Sequence, residues 1–149
     1  MPLSTSLYEV TNAIYETLEN EKVALGIATV YFGNQNLVPE FPSVWVASSR
    51  LERQLAAPGS THKWALGFRV MVTLVHGKIQ SSEINAREEE QLSEAIEAKL
   101  HEDLKLGERV IFGMVTLREP GQIPIMDNVQ RHFLRATRMT WEADSRQYF

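Results

Sequence analysis

Lys63-Trp-Ala-Leu-Gly-Phe-Arg-Val-Met-Val-Thr-Leu-Val-His76, KWALGFRVMVTLVH, is the stretch on which the architecture turns. Trp64, Leu66, Phe68, Val70, Val72 and Leu74 occupy every second position. Successive side chains of a strand point to opposite faces, so these six form one continuous apolar face. The other positions, Ala65, Gly67, Arg69, Met71, Thr73 and Val75, are mixed rather than fully polar. That composition predicts a strand covered completely on one face and in part on the other. Gly67, Arg69 and Thr73 also break the run well short of a membrane span.

Upstream, Ser43 to Ser49 reads as a second strand, with Val44 and Val46 on one side and Trp45 and Ala47 on the other. Arg50 to His62, polar and containing Pro58-Gly59, reads as a projecting loop. Ile27 to Phe32 is β-branched and aromatic and stops at the turn cluster Gly33-Asn-Gln-Asn, which predicts a further strand. Between these strands lies "NLVPEFPSVWV", Asn36 to Val46. Pro39-Glu-Phe-Pro42 has the P-x-x-P spacing of polyproline ligands, but it runs straight into a strand and reads better as scaffold. The two prolines fix extended backbone and remove two amide donors, so they are expected to guard an open sheet edge. Before them, Leu7, Val10, Ile14 and Leu18 form one helical stripe, and Ser6 with Glu9 has capping-box spacing. A helix is expected from Leu7 to about Asn20.

Downstream, Ser81-Ser82 is placed to cap a long helix from Glu83 to about Lys105. Leu92, Ile96, Leu100 and Leu104 mark its apolar stripe, and Gly107 is expected to end it. Arg109 to Arg118 alternates as a strand. Glu119 to Asn128, with Pro120-Gly121 and Pro124, reads as a second long loop, and Arg131 to Glu142 as the last strand. Met1 to Thr5 and Ala143 to Phe149 are expected to be short flexible ends. The order α-β-β-β-α-β-β predicts a single α+β domain over residues 1–149. Its mostly antiparallel (mixed) sheet of about five strands carries both helices on one face.

At 149 residues, with 44% apolar and 23% charged residues, the chain can bury an ordinary core. It has no cysteine, which excludes disulfides, thiolate metal sites and cysteine catalysis. The start has neither a basic nor an apolar leader pattern, so a cytoplasmic protein is expected. The net charge of −4 argues against generic nucleic-acid binding. The charge is unevenly placed: Glu83 to Glu108 holds nine acids against three bases, whereas Arg131 to Arg138 holds three bases and no acid.

Candidate chemistry is sparse. His62, His76, His101 and His132 show no metal-motif spacing. Glu94, Glu97 and His101 fall on one helix face, but a solvated face with an i,i+4 pair explains them without a ligand. The glycines form no phosphate loop and no serine lies in G-x-S-x-G. Arg131, Arg135 and Arg138, interleaved with Phe133 and Trp141, could serve single-stranded nucleic acid, or could be rim charges around core aromatics.

In layout the chain resembles the tail-terminator, or tail-completion, ring proteins of long-tailed bacteriophages. The resemblance rests on the opening helix, the Pro-aromatic-Pro step "VPEFPSVWV", the long strand ending in a His-Gly turn, the acidic helix and two closing strands. It spans roughly Leu7 to Glu142 and lies in pattern and order. It implies a structural virion protein, without enzymatic activity or cofactor, assembling usually six at a time into a ring. Such a ring caps the head-proximal end of the tail tube, stops its growth and joins it to the neck or head-completion protein. DNA would cross it only as passing cargo, and no membrane is involved. The implied location is the tail–neck junction of the virion, after assembly in the host cytoplasm. On this resemblance Glu94 and Glu97 of one subunit are expected near Arg131, Arg135 and Arg138 of the next, with no catalytic or metal residue. Arg50, Arg53, His62, Gln122 and Asp127, in the two long loops, are the expected contacts to tube or neck. The alternatives are another neck or head-completion protein, or a small ligand-binding domain or enzyme with a pocket near His76, His101 or His132.

Overall fold

The computed structural model describes residues 6–35, 40–55, 63–78, 83–126 and 131–148. Two helices and five strands follow one another as α1 (Leu7–Leu25), β1 (Thr29–Phe32), β2 (Ser43–Leu55), β3 (Lys63–Lys78), α2 (Glu83–Leu100), β4 (Phe112–Met126) and β5 (Arg131–Tyr148). This is the α+β order that the sequence predicts. The sheet runs β1-β2-β3-β5-β4, with β1 parallel to β2 and every other pair antiparallel.

The alternation in β3 is realised as read. Leu66, Phe68, Val70, Val72 and Leu74 are buried beneath both helices, with Val10, Ile14 and Leu18 of α1 and Ile96 and Leu100 of α2. Val44 and Val46 of β2 and Met139 and Trp141 of β5 complete this main core. The other face of the sheet carries a smaller cluster of Trp45, Val75, Leu134 and Ala136, flanked by Tyr31, Phe41 and Ile123. This cluster covers one end of the mixed face of β3.

α1 starts where Ser6 Oγ accepts the Glu9 N–H at 3.1 Å. It runs past Asn20 to Leu25, where Gly26, at φ 80, lets the Ile27 N–H reach back to the Lys22 carbonyl at 2.8 Å. That left-handed cap, rather than the polar run before it, sets the end. α2 stops at Leu100, short of Lys105. The chain instead turns tightly over residues 101–110, with Leu106, Gly107 and Glu108 all at positive φ. Asp103 holds this turn by accepting the Lys105 and Gly107 N–H groups at 3.2 and 2.7 Å, while Leu106 and Val110 enter the core. The Ser81-Ser82 cap lies outside the described residues.

The described parts of both expected loops are strand, and residues 56–62 and 127–128 lie outside the described residues. Residues 50–55 pair with β3, and residues 119–126 pair with β5. Bulges explain the misreading. The β2 register slips between Ser48 and Arg50, and the β4 register between Val115 and Leu117. One extra residue swaps the faces of everything after it and breaks the alternation. Pro120 and Pro124 fit because β4 is an edge strand, where a missing donor is tolerated. The expected C-terminal tail is also strand: residues 143–148 pair with β3, and Ala143 and Ser145 are buried. Pro42 precedes β2, which lies between β1 and β3, so it guards no open edge; its carbonyl accepts the Ala28 N–H at 2.8 Å instead. Pro39 and residues 1–5 lie outside the described residues.

The register also fixes direction. Lys78 pairs with Leu134 at one end of β3 and Lys63 with Tyr148 at the other. The β2–β3 hairpin and the β4–β5 hairpin therefore extend towards opposite ends of the sheet.

Candidate functional site

The charged residues singled out in the sequence sort into pairs within the chain. On the helix-covered face, Glu89 of α2 is 3% exposed. Its Oε1 accepts the Thr137 hydroxyl at 2.7 Å, and its Oε2 lies 3.5 Å from Arg135 Nη1. A carboxylate at such depth needs partners, and here a cation and a hydroxyl both face it. Further along α2, Glu97 Oε2 pairs with Arg118 Nη1 at 2.8 Å and Glu94 Oε1 with Arg118 Nη2 at 3.7 Å. Lys99 bridges Glu102 at 2.7 Å and Glu21 of α1 at 3.4 Å. Its pKa is raised, chiefly by the hydrogen bond it donates to Glu102. Glu94 and Glu97 are thus answered by Arg118 of β4 and Glu89 by Arg135 of β5, while Lys99 is answered by Glu21 of α1. Arg135 and Glu97 meet cis partners, and an exchange of these charges between subunits would first have to break those pairs.

Arg138 is different. It lies on the opposite face of β5, exposed, and makes no ion pair or hydrogen bond among the described residues. The Arg131 side chain lies outside the described residues. On β2, Arg50 pairs with Glu52 at 2.9 Å, and Arg53 is exposed. Gln122 stands on β4 opposite Arg135, in a strand rather than a loop. His62 and Asp127 lie outside the described residues.

His76 and His101, the two histidines whose side chains are described, take different partners. His76 Nε2 approaches Glu88 Oε2 at 3.7 Å beside the β3 bulge. His101 Nε2 accepts the Val115 N–H at 2.9 Å, so its proton sits on Nδ1. Among the described residues no group of three or more His, Asp or Glu could hold a metal ion. Among the described residues no helix is long and apolar enough to cross a membrane. Trp141 is buried in the main core and offers no face to a base, whereas Phe133 is half exposed.

The exposed apolar side chains are the least expected feature. Tyr8, Val23 and Phe32 lie on α1 and β1, at one edge of the sheet. Phe32 stacks at 5.8 Å between centroids on both Tyr8 and Tyr15. Ile111, just before β4, and Phe112, Met114 and Leu117 along it lie at the other edge. Of these, Phe112 and Met114 line a hollow of about 320 Å³ on the face away from the helices, beside the Arg69–Glu142 pair at 3.0 Å. Sequence reading missed the β4 patch because Phe112, Met114 and Leu117 look like core residues of a strand. Only the strand order reveals that β4 has no outer neighbour.

No protein-family model matches this chain, and no curated protein matches it.

Proposed function

We propose that this chain is a structural subunit that assembles head to tail into a closed ring, of the kind its sequence resemblance to phage tail terminators implies. The observation that supports this reading is the pair of unlike apolar patches at opposite sheet edges: Tyr8 and Phe32 on the α1–β1 side, Phe112, Met114 and Leu117 on β4. Each fully buried residue of this size stabilises a contact by about 1.5–3 kcal/mol before association costs. A patch that meets a different patch forms a heterologous interface, and such an interface closes a ring when its rotation divides a full turn. Closure would remove every exposed edge at once.

In that ring the charges of α2 serve the subunit itself, and apolar edge contacts join neighbours. The β2–β3 and β4–β5 hairpins reach opposite ends of the sheet, which suits one to the tail tube and the other to the neck. The role is mechanical: a cap that ends tube growth and a collar through which DNA passes. The test is light scattering after size-exclusion chromatography of the purified chain, with negative-stain imaging. A discrete mass several times 17.0 kDa, with annular particles, is the expected result. A monomer at every concentration, with no annular particle in the presence of tail tubes, rejects the reading.

A further inference from the structure

The outer edge of β4 is guarded by unlike chemical groups. Gly113 and Val115 turn their N–H groups away from β5, towards the turn after α2. Gly113 donates to the Leu104 carbonyl at 2.7 Å and Val115 to His101 Nε2 at 2.9 Å. The bulge then shifts the phase, since Val115 pairs with Trp141 and Leu117 with Thr140. Beyond it Arg118, Pro120, Gln122 and Pro124 are the residues whose backbone faces outward. Pro120 and Pro124 have no N–H to offer a passing strand. A carbonyl and a proline ring guard the edge at any pH. An imidazole does not.

The Val115 N–H can only donate, so the ring nitrogen that meets it must present a lone pair. The neutral ring has one such nitrogen; the protonated ring has donors on both and cannot accept the bond. His101 is half-buried, so solvent protons reach it. Histidine changes charge between about pH 5 and 8, so the bond is present above that range and lost as the pH falls through it. The charged groups around His101 are already engaged. Glu97, one turn earlier on α2, and Arg118 of β4 hold one another, and Glu102 holds Lys99, which also takes Glu21 of α1. Asp103 accepts the Lys105 and Gly107 N–H groups, and β5 presents the uncharged Trp141 opposite Val115. We propose that His101 is a pH-operated latch. Neutral, it ties the turn after α2 to the start of β4; protonated, it lets go of Val115 and uncovers that outward donor. The latch belongs to the single chain and does not rest on ring assembly.

Amide hydrogen exchange of the full chain, followed residue by residue by NMR, tests this, with each rate divided by that of an unstructured amide at the same pH. In the parent, Val115 is expected to lose about tenfold in protection between about pH 7.5 and about pH 5, measured against the amides of β3. His101→Gln places an amide there that carries no charge at either pH, so its Val115 protection is expected to stay flat over the same range. His62, His76 and His132 are present in both proteins, so the difference between the two belongs to His101. The imidazole nitrogen signals of the parent are expected to place the proton of the neutral ring on Nδ1. The proposal is overturned if Val115 keeps its protection down to about pH 5. It is equally overturned if His101→Gln loses protection to the same extent, or if the neutral ring carries its proton on Nε2.

Discussion

His101 Nε2 accepts the Val115 N–H at 2.9 Å, on the side of β4 that no strand covers. One step earlier, the Leu104 carbonyl takes the Gly113 N–H at 2.7 Å. The turn after α2 therefore covers the start of the outer edge of β4, at Gly113 and Val115, while Phe112, Met114 and Leu117 stay exposed. An open edge invites indiscriminate strand pairing, and covering it leaves side-chain contacts to choose the partner.

Removing the acceptor should reopen that edge. His101→Ala leaves the N–H of a buried residue unpaired and is expected to cost about 1–2 kcal/mol. Urea unfolding measures the loss, and light scattering on mild heating should rise above that of the parent.

Glu89 anchors α2 to β5. Glu89→Ala strands Arg135 opposite an apolar gap and is expected to cost roughly 3 kcal/mol. A double-mutant cycle of Glu89→Gln with Thr137→Val should return a coupling of about 1 kcal/mol or more, since a hydroxyl bonded to a carboxylate is among the stronger hydrogen bonds.

The bridge from Arg118 to Glu94 and Glu97 is partly exposed and should matter little to stability. Arg118→Gln is expected to cost under about 1 kcal/mol, less at high salt. It should leave the oligomer mass unchanged, because these charges pair within the chain.

Gly113 packs against Trp141. A Cβ at Gly113 would lie 2.9 Å from both Trp141 Cη2 and Ala143 Cβ, so Gly113→Ala must displace β4 or the indole. Overpacking of this kind is expected to cost about 1–3 kcal/mol and to shift tryptophan emission.

What the sequence displayed, and what it hid, follows from how burial is patterned. The β3 face was legible because Leu66 to Leu74 lie on one side of an unbroken part of the strand under two helices. The outer halves of β2 and β4 were hidden. Beyond the bulges at Ser49 and Thr116 the period-two signal changes phase, and Pro120 and Pro124 mimic a loop. Residues 143–148 were hidden because backbone pairing with β3 holds a mostly polar segment. The charge asymmetry of α2 and β5 was legible, but its meaning was not. Only the fold brings Glu89 to Arg135 and Glu97 to Arg118.

Head-to-tail association through the two sheet edges makes a demand that no symmetric dimer meets. Tyr8→Arg disables one edge and Leu117→Arg the other, both at exposed positions. Each variant alone should be monomeric. Mixed in equal amounts, they retain one intact pair of patches, so light scattering should report a one-to-one complex of twice the 17.0 kDa chain mass. A mixture that stays monomeric, or variants that each assemble as the parent does, would rule out association through these edges.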